Sequence, residues 1–121
     1  MKEKLREVRV MSVVNELKVF INKVNEFPEH IKEEKNRVFQ FDITDSNTVQ
    51  VELKEGQAFL HEEVHAEPDV TLILSEKHLL KLLADDLNTT MAFMTGQLKV
   101  DGKMGLALKL QEIVKKYQAI E

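Results

Sequence analysis

The sequence predicts an α+β domain in which helices cover one side of a β-sheet. Two segments, near the N-terminus and at the C-terminus, place apolar residues every three or four positions, as amphipathic helices do. Between them the period falls to two, as in strands with one buried and one polar face. The 121 residues contain no linker rich in Pro, Gly or Ser and no internal repeat, so one hydrophobic core is expected. We divide the chain into an N-terminal extension, residues 1–11, and a single domain, residues 12–121.

Ser12 is read as the N-cap of the first helix, whose apolar stripe is Val13, Leu17, Phe20, Ile21 and Val24. Phe27-Pro28 ends that pattern. The residues before Ser12 carry four basic and two acidic side chains; a helical extension, a loose tail or a weak contact with anionic lipid headgroups all fit them. From Arg37, Phe39, Phe41 and Ile43 alternate with polar neighbours, and after Asp45-Ser46-Asn47 the same alternation returns at Val49, Val51 and Leu53. Glu55-Gly56 turns the chain into a third strand, read as Gln57 to His65. The short β-rich run Val70-Thr71-Leu72-Ile73-Leu74 follows Pro68 and reads as an interior strand.

Ser75 caps a leucine helix containing Leu79, Leu80, Leu82 and Leu83, and Asn88 or Thr89 caps a second short helix that ends at Gly96. Gln97 to Asp101 supplies a fifth strand. After Gly102, Leu106, Leu110, Ile113, Val114 and Tyr117 form the stripe of the last helix. A pocket between sheet and helices is the natural ligand site in such a layered arrangement.

Composition narrows the function. A hydrophobic fraction of 43% with 31% charged residues is that of a globular protein, neither membrane-spanning nor disordered. The net charge of −4 and the interleaving of lysines with acids argue against a nucleic-acid partner. With no cysteine, no disulfide or thiolate metal site is available. The N-terminus lacks the apolar core of a signal peptide and Gln118-Ala119-Ile120-Glu121 is not a peroxisomal signal, so the cytoplasm is the expected location.

One motif invites a catalytic reading. His61-Glu62-Glu63-Val64-His65 matches the H-E-x-x-H pattern in which two histidines on successive helical turns bind zinc and the glutamate activates water. Its context, after a hairpin and before Pro68, argues for a strand. There the two histidines would stand roughly 13 Å apart, too far to share an ion held by bonds of about 2.1 Å. A third ligand would be needed, with His78, Glu76 and Asp85 the downstream candidates. We therefore expect no metal and no cofactor. Asp85-Asp86 reads as a solvated turn, His30 and His78 read as surface residues, and no G-x-S-x-G elbow surrounds Ser12, Ser46 or Ser75, so no catalytic residue is assigned.

The segment from Met91 to Leu110 is the most distinctive. Met91-Ala92-Phe93-Met94, Gly96, the strand Leu98-Lys99-Val100, and then Gly102, Met104, Ala107 and Leu110 resemble the C-terminal signature of the sterol carrier protein type-two family. Pro68-Asp69-Val70-Thr71-Leu72, followed by Ser75 and the leucine helix, is similar to that family's fourth strand and next helix. The chain departs from the family pattern at Ala84-Asp85-Asp86, where a glycine is frequent, and at Lys103, where an acid is frequent. The resemblance implies a five-stranded mixed sheet covered on one face by helices. It also implies non-catalytic binding and transfer of a fatty acid, acyl-coenzyme A, phospholipid or sterol in a tunnel between the two layers.

Methionine suits such a wall, since its flexible, polarizable side chain adapts to apolar ligands of varying shape, although ordinary core packing explains it equally well. As wall residues we take Phe20, Ile21, Val24, Leu83, Met91, Phe93, Met94, Met104 and Leu108. Each buried methylene contributes about 0.8 kcal/mol, so a chain of a dozen supplies on the order of 10 kcal/mol before ordering costs. The expected partners are that lipid and, transiently, a membrane or enzyme, with the oligomeric state open. The competing expectation is an interaction module of the same fold with a filled core.

Overall fold

The computed structural model describes the backbone of residues 2–120 and the side chains of residues 13–120. Helix α1 (Lys2–Glu26) is followed by a 3-10 turn (Pro28–His30) and strands β1 (Arg37–Ile43), β2 (Thr48–Lys54), β3 (Gln57–His61) and β4 (Val70–Leu74). Helices α2 (Glu76–Leu83) and α3 (Thr89–Met94), strand β5 (Lys99–Gly102) and helix α4 (Met104–Gln118) complete the chain. The five strands form one mixed sheet in the order β3-β2-β1-β4-β5. Only the β1–β4 pair is parallel; β1–β2, β2–β3 and β4–β5 are antiparallel.

Three elements differ in their bounds from the sequence reading, and one of them is β5, which spans Lys99–Gly102 instead of Gln97 to Asp101. Helix α1 begins at Lys2, so the backbone of residues 2–11, taken as an extension, is helical, and Ser12 lies inside the helix; its side chain is outside the described residues. β3 ends at His61 instead of His65, and a bent segment, 62–67, follows it.

The hairpin register explains the core. Phe39 pairs with Val51 and Phe41 with Val49, so the alternating residues of both strands meet on one face. All four are buried, together with Leu72 and Leu74 of β4. On the same side α1 contributes Val13, Leu17, Phe20, Ile21 and Val24, and α4 contributes Ala107, Leu110, Ile113, Val114 and Tyr117. Tyr117 is fully buried, stacks edge-on against Phe20 and His30, and donates its hydroxyl to the Phe27 carbonyl. Burial pushes that phenol above its ordinary pKa. His30 is thereby half-buried against Tyr117, not a free surface residue as first read.

Polar ties hold the helices in register with the sheet. Asn25 exchanges two hydrogen bonds with the backbone of Ala58, anchoring α1 along the edge strand β3. Lys23 donates to the Ile120 carbonyl and Gln118 to the Leu83 carbonyl, joining the chain end to α1 and α2. At Gly102, φ is +109° and an added Cβ would stand 3.0 Å from the Asp69 carbonyl oxygen, so only glycine lets β5 pair this closely with the start of β4.

Candidate functional site

Between the sheet and helices α1 and α4, among the described residues, lies a small apolar cavity of about 10 Å³. Phe20 and Val24 from α1, Phe39, Val51 and Leu53 from the hairpin, and Ile31, Ala58, Leu110 and Ile113 line it. A space of that size is comparable to a single water probe, whereas a lipid chain needs a cavity of several hundred cubic ångströms. A groove of about 340 Å³ lies elsewhere, where Thr44, Ser75, His78 and Lys99 mix with Ile73 and Leu74, but it is open to solvent.

The residues taken as a ligand wall divide into two groups. Phe20 and Val24 line the cavity, Ile21 and Leu83 are buried in the surrounding core, and Met104 packs half-buried against it. Met91, Phe93, Met94 and Leu108 do not reach the interior; they are exposed, Met94 by 74%. The cavity residues absent from that wall, such as Phe39, Val51 and Leu53, carried a usable signal, since their period-two alternation had already assigned them to the buried sheet face.

Local chemistry explains why α3 turns its large side chains outward. Asn88 caps the helix by accepting from the Met91 amide at 3.0 Å, and Gly96, at φ +79°, ends it. The amides of Gln97 and Leu98 both return to the Ala92 carbonyl, so the small Ala92 and the following Leu98 take the inward positions. Only six residues long, α3 has room for little else. Its start is tied to α4 through the Thr89 amide, which donates to Gln111 Oε1 at 3.0 Å, and Leu108 lies one turn before Gln111. The Thr89 hydroxyl is buried with no hydrogen-bond partner among the described residues. An orphaned polar group of that kind costs about 1–3 kcal/mol relative to a state in which it is paired.

The histidines of the H-E-x-x-H motif are brought together, contrary to the strand argument. The bend after His61 stacks the His65 ring on the His61 ring, with centroids 4.0 Å apart and planes 14° apart. His61 Nε2 lies 3.0 Å and His65 Nε2 3.8 Å from Glu52 Oε1. None of His78, Glu76 or Asp85 joins this cluster. His78 instead meets the hydroxyl of Ser75, which also caps α2 as expected. Asp85 and Asp86 form an exposed turn, also as expected.

Comparison with known proteins agrees with this architecture. Residues 15–115 match the model of the SCP-2 sterol transfer family. Hydroxysteroid dehydrogenase-like protein 2 of Bos taurus is 35% identical over 80 residues, covering 64% of this chain and 19% of that protein. Sterol carrier protein 2 of Bos taurus is 32% identical over 81 residues, covering 63% of this chain and 15% of that protein. The chain thus spans less than a fifth of the length of these relatives. The solution structure of sterol carrier protein 2 from Aedes aegypti in complex with palmitate superposes with a TM-score of 0.61 at 18% identity, covering 78% of this chain and 90% of that one. With a family match over 15–115 and the same five-stranded sheet beneath helices, this chain belongs to the SCP-2 sterol transfer family.

Proposed function

We propose that the chain binds a single hydrophobic ligand, a fatty acid, acyl-coenzyme A, phospholipid or sterol, and carries it between a membrane and an enzyme without chemical change. Family membership supports the ligand class, and the palmitate complex of the Aedes aegypti protein supports a fatty acid as the first probe. The observation that carries the reading in this chain is the surface of α3 and the start of α4. Of the seven exposed large hydrophobic residues among those described, four are Met91, Phe93, Met94 and Leu108. Apolar side chains concentrated this way mark a surface that meets an apolar partner.

The ligand would occupy the layer between sheet and helices once α3 lifts from α4. The small volume of the cavity between Phe20 and Phe39 does not oppose this. Met91, Phe93, Met94 and Leu108 would turn from solvent to ligand, and the buried Thr89 hydroxyl would gain a partner. The headgroup would stay at the mouth. A lipid that selects the open state stabilises it by its differential affinity alone.

The cavity of about 10 Å³ favours one second reading, a filled-core interaction module that docks through the α3 surface. A thermal melt with palmitate separates the two. A carrier gains about 2.7 kcal/mol of stability when free ligand is a hundredfold above Kd. A melting temperature that ignores palmitate, together with native mass spectra that show no lipid adduct, would establish the interaction module instead.

A further inference from the structure

The polar face of the sheet carries a feature that lipid binding leaves unused and that does not depend on it. β2 alternates, so Gln50 and Glu52 both point away from the helices, and His61 shares that face because it pairs with Gln50 across the β2–β3 ladder. Gln50 is nevertheless completely buried. Its Oε1 accepts from the amides of His65 at 2.9 Å and Ala66 at 3.1 Å. Its Nε2 donates to the Ala66 carbonyl at 2.7 Å and to Gln40 Oε1 at 2.8 Å. The carboxamide is therefore fully used, and all of its bonds to the 62–67 segment fold that segment back over the strands.

The consequence is a set of three ligands gathered from two separate pieces of chain, whose stacked imidazoles, 14° from parallel, must rotate apart for both lone pairs to reach one ion. Glu52, His61 and His65 each offer an atom, all within 4.8 Å of one another. Bonds of about 2.0–2.2 Å in tetrahedral geometry require neighbouring ligand atoms to stand ~3.4 Å apart. The two distances from Glu52 Oε1, 3.0 and 3.8 Å, bracket that value. The Glu52 and His61 side chains are only 19% and 24% exposed, and the more exposed His65 leaves a path for an ion to arrive. Two imidazoles with one carboxylate suit zinc-class ions and not magnesium, which prefers an all-oxygen shell.

We propose that Glu52, His61 and His65 bind one divalent zinc-class ion that clamps the 62–67 segment to the sheet. The site is not that of a metalloprotease. Its carboxylate comes from β2, and Glu62, which would activate water in the helical motif, lies 3.8 Å from Lys18 in an exposed ion pair.

Tag-free protein titrated calorimetrically with zinc chloride should show saturable binding at one equivalent, and magnesium chloride should show none. The near-isosteric Glu52→Gln and the truncation His61→Ala should each abolish zinc binding, while His78→Ala retains it. In the unmutated protein, zinc should shift the imidazole NMR signals of His61 and His65 and leave those of His30 and His78 in place, a readout independent of whether any variant folds. Absence of saturable binding, unaltered binding by Glu52→Gln, or zinc-induced shifts at His30 and His78 instead would each overturn the site.

Discussion

The interior beneath α1 and α4 and the outer surface of α3 are built from the same kinds of side chain and treat them in opposite ways. In the interior, Phe39 is 1% exposed and Leu17 is completely buried, and the cavity that Phe39 lines approximates one water. On α3, Phe93 is 46% and Met94 74% exposed. The interior residues belong to long elements whose apolar stripe has a whole sheet to pack against. Those of α3 sit on a six-residue helix whose inward positions are taken by Thr89 and Ala92. Tight packing supplies stability in the first region, and its absence leaves apolar surface available for a partner in the second.

The sharpest way to break this contrast is by truncation. Phe39→Ala should cost about 3–5 kcal/mol of stability, whereas Met94→Ala should stay within about 0.5 kcal/mol, both measured by urea denaturation. Comparable losses would mean that α3 is part of the packed core. A charge tests the partner surface next. Met94→Asp forfeits roughly 1.5–3 kcal/mol of apolar contact with a ligand, so its uptake of a fluorescent fatty acid should weaken about tenfold or more. The exposed Lys99→Asp on β5 should leave uptake nearly unchanged; equal losses would remove α3 from the binding surface.

The smallest effect sharpens a comparison between the two helix ends that flank this region. α2 and α3 finish in the same manner, with the amides of Asp86 and Gln97 returning to the Lys81 and Ala92 carbonyls. The residue in the left-handed conformation is Gly96 in α3 but Asp85, at φ +57°, in α2. Asp85→Gly relieves the strain of a side chain there and should raise stability by up to about 1 kcal/mol in the same denaturation experiment. The departure from the family's frequent glycine thus has a conformational cost at an exposed turn.

Much of the fold was legible because it rests on local periodicity. The stripe Val13, Leu17, Phe20, Ile21 and Val24, the hairpin alternation and the caps at Ser75 and Asn88 each follow from residues a few positions apart. The candidate site was legible only in part. Met91, Phe93 and Met94 were singled out as a group that faces the interior, whereas all three are exposed, because a short helix has too few residues for its periodicity to define a buried face. Nor could the spacing of His61 and His65 reveal their contact, since the bend between them is made by hydrogen bonds to Gln50, fifteen residues before His65 in the chain.

By itself, the sequence determined the order and type of the elements, since periodicity, capping and turn residues act over short stretches of chain, and the motifs between Pro68 and Leu110 carried the resemblance to the family. The tertiary structure alone decided that the space between Phe20, Phe39 and Leu110 is nearly filled, that the methionines of α3 face outward, and that Glu52 meets two histidines on the polar face. Each of those outcomes depends on which distant segments compete for the same space and the same hydrogen-bonding groups, and no local pattern encodes that competition.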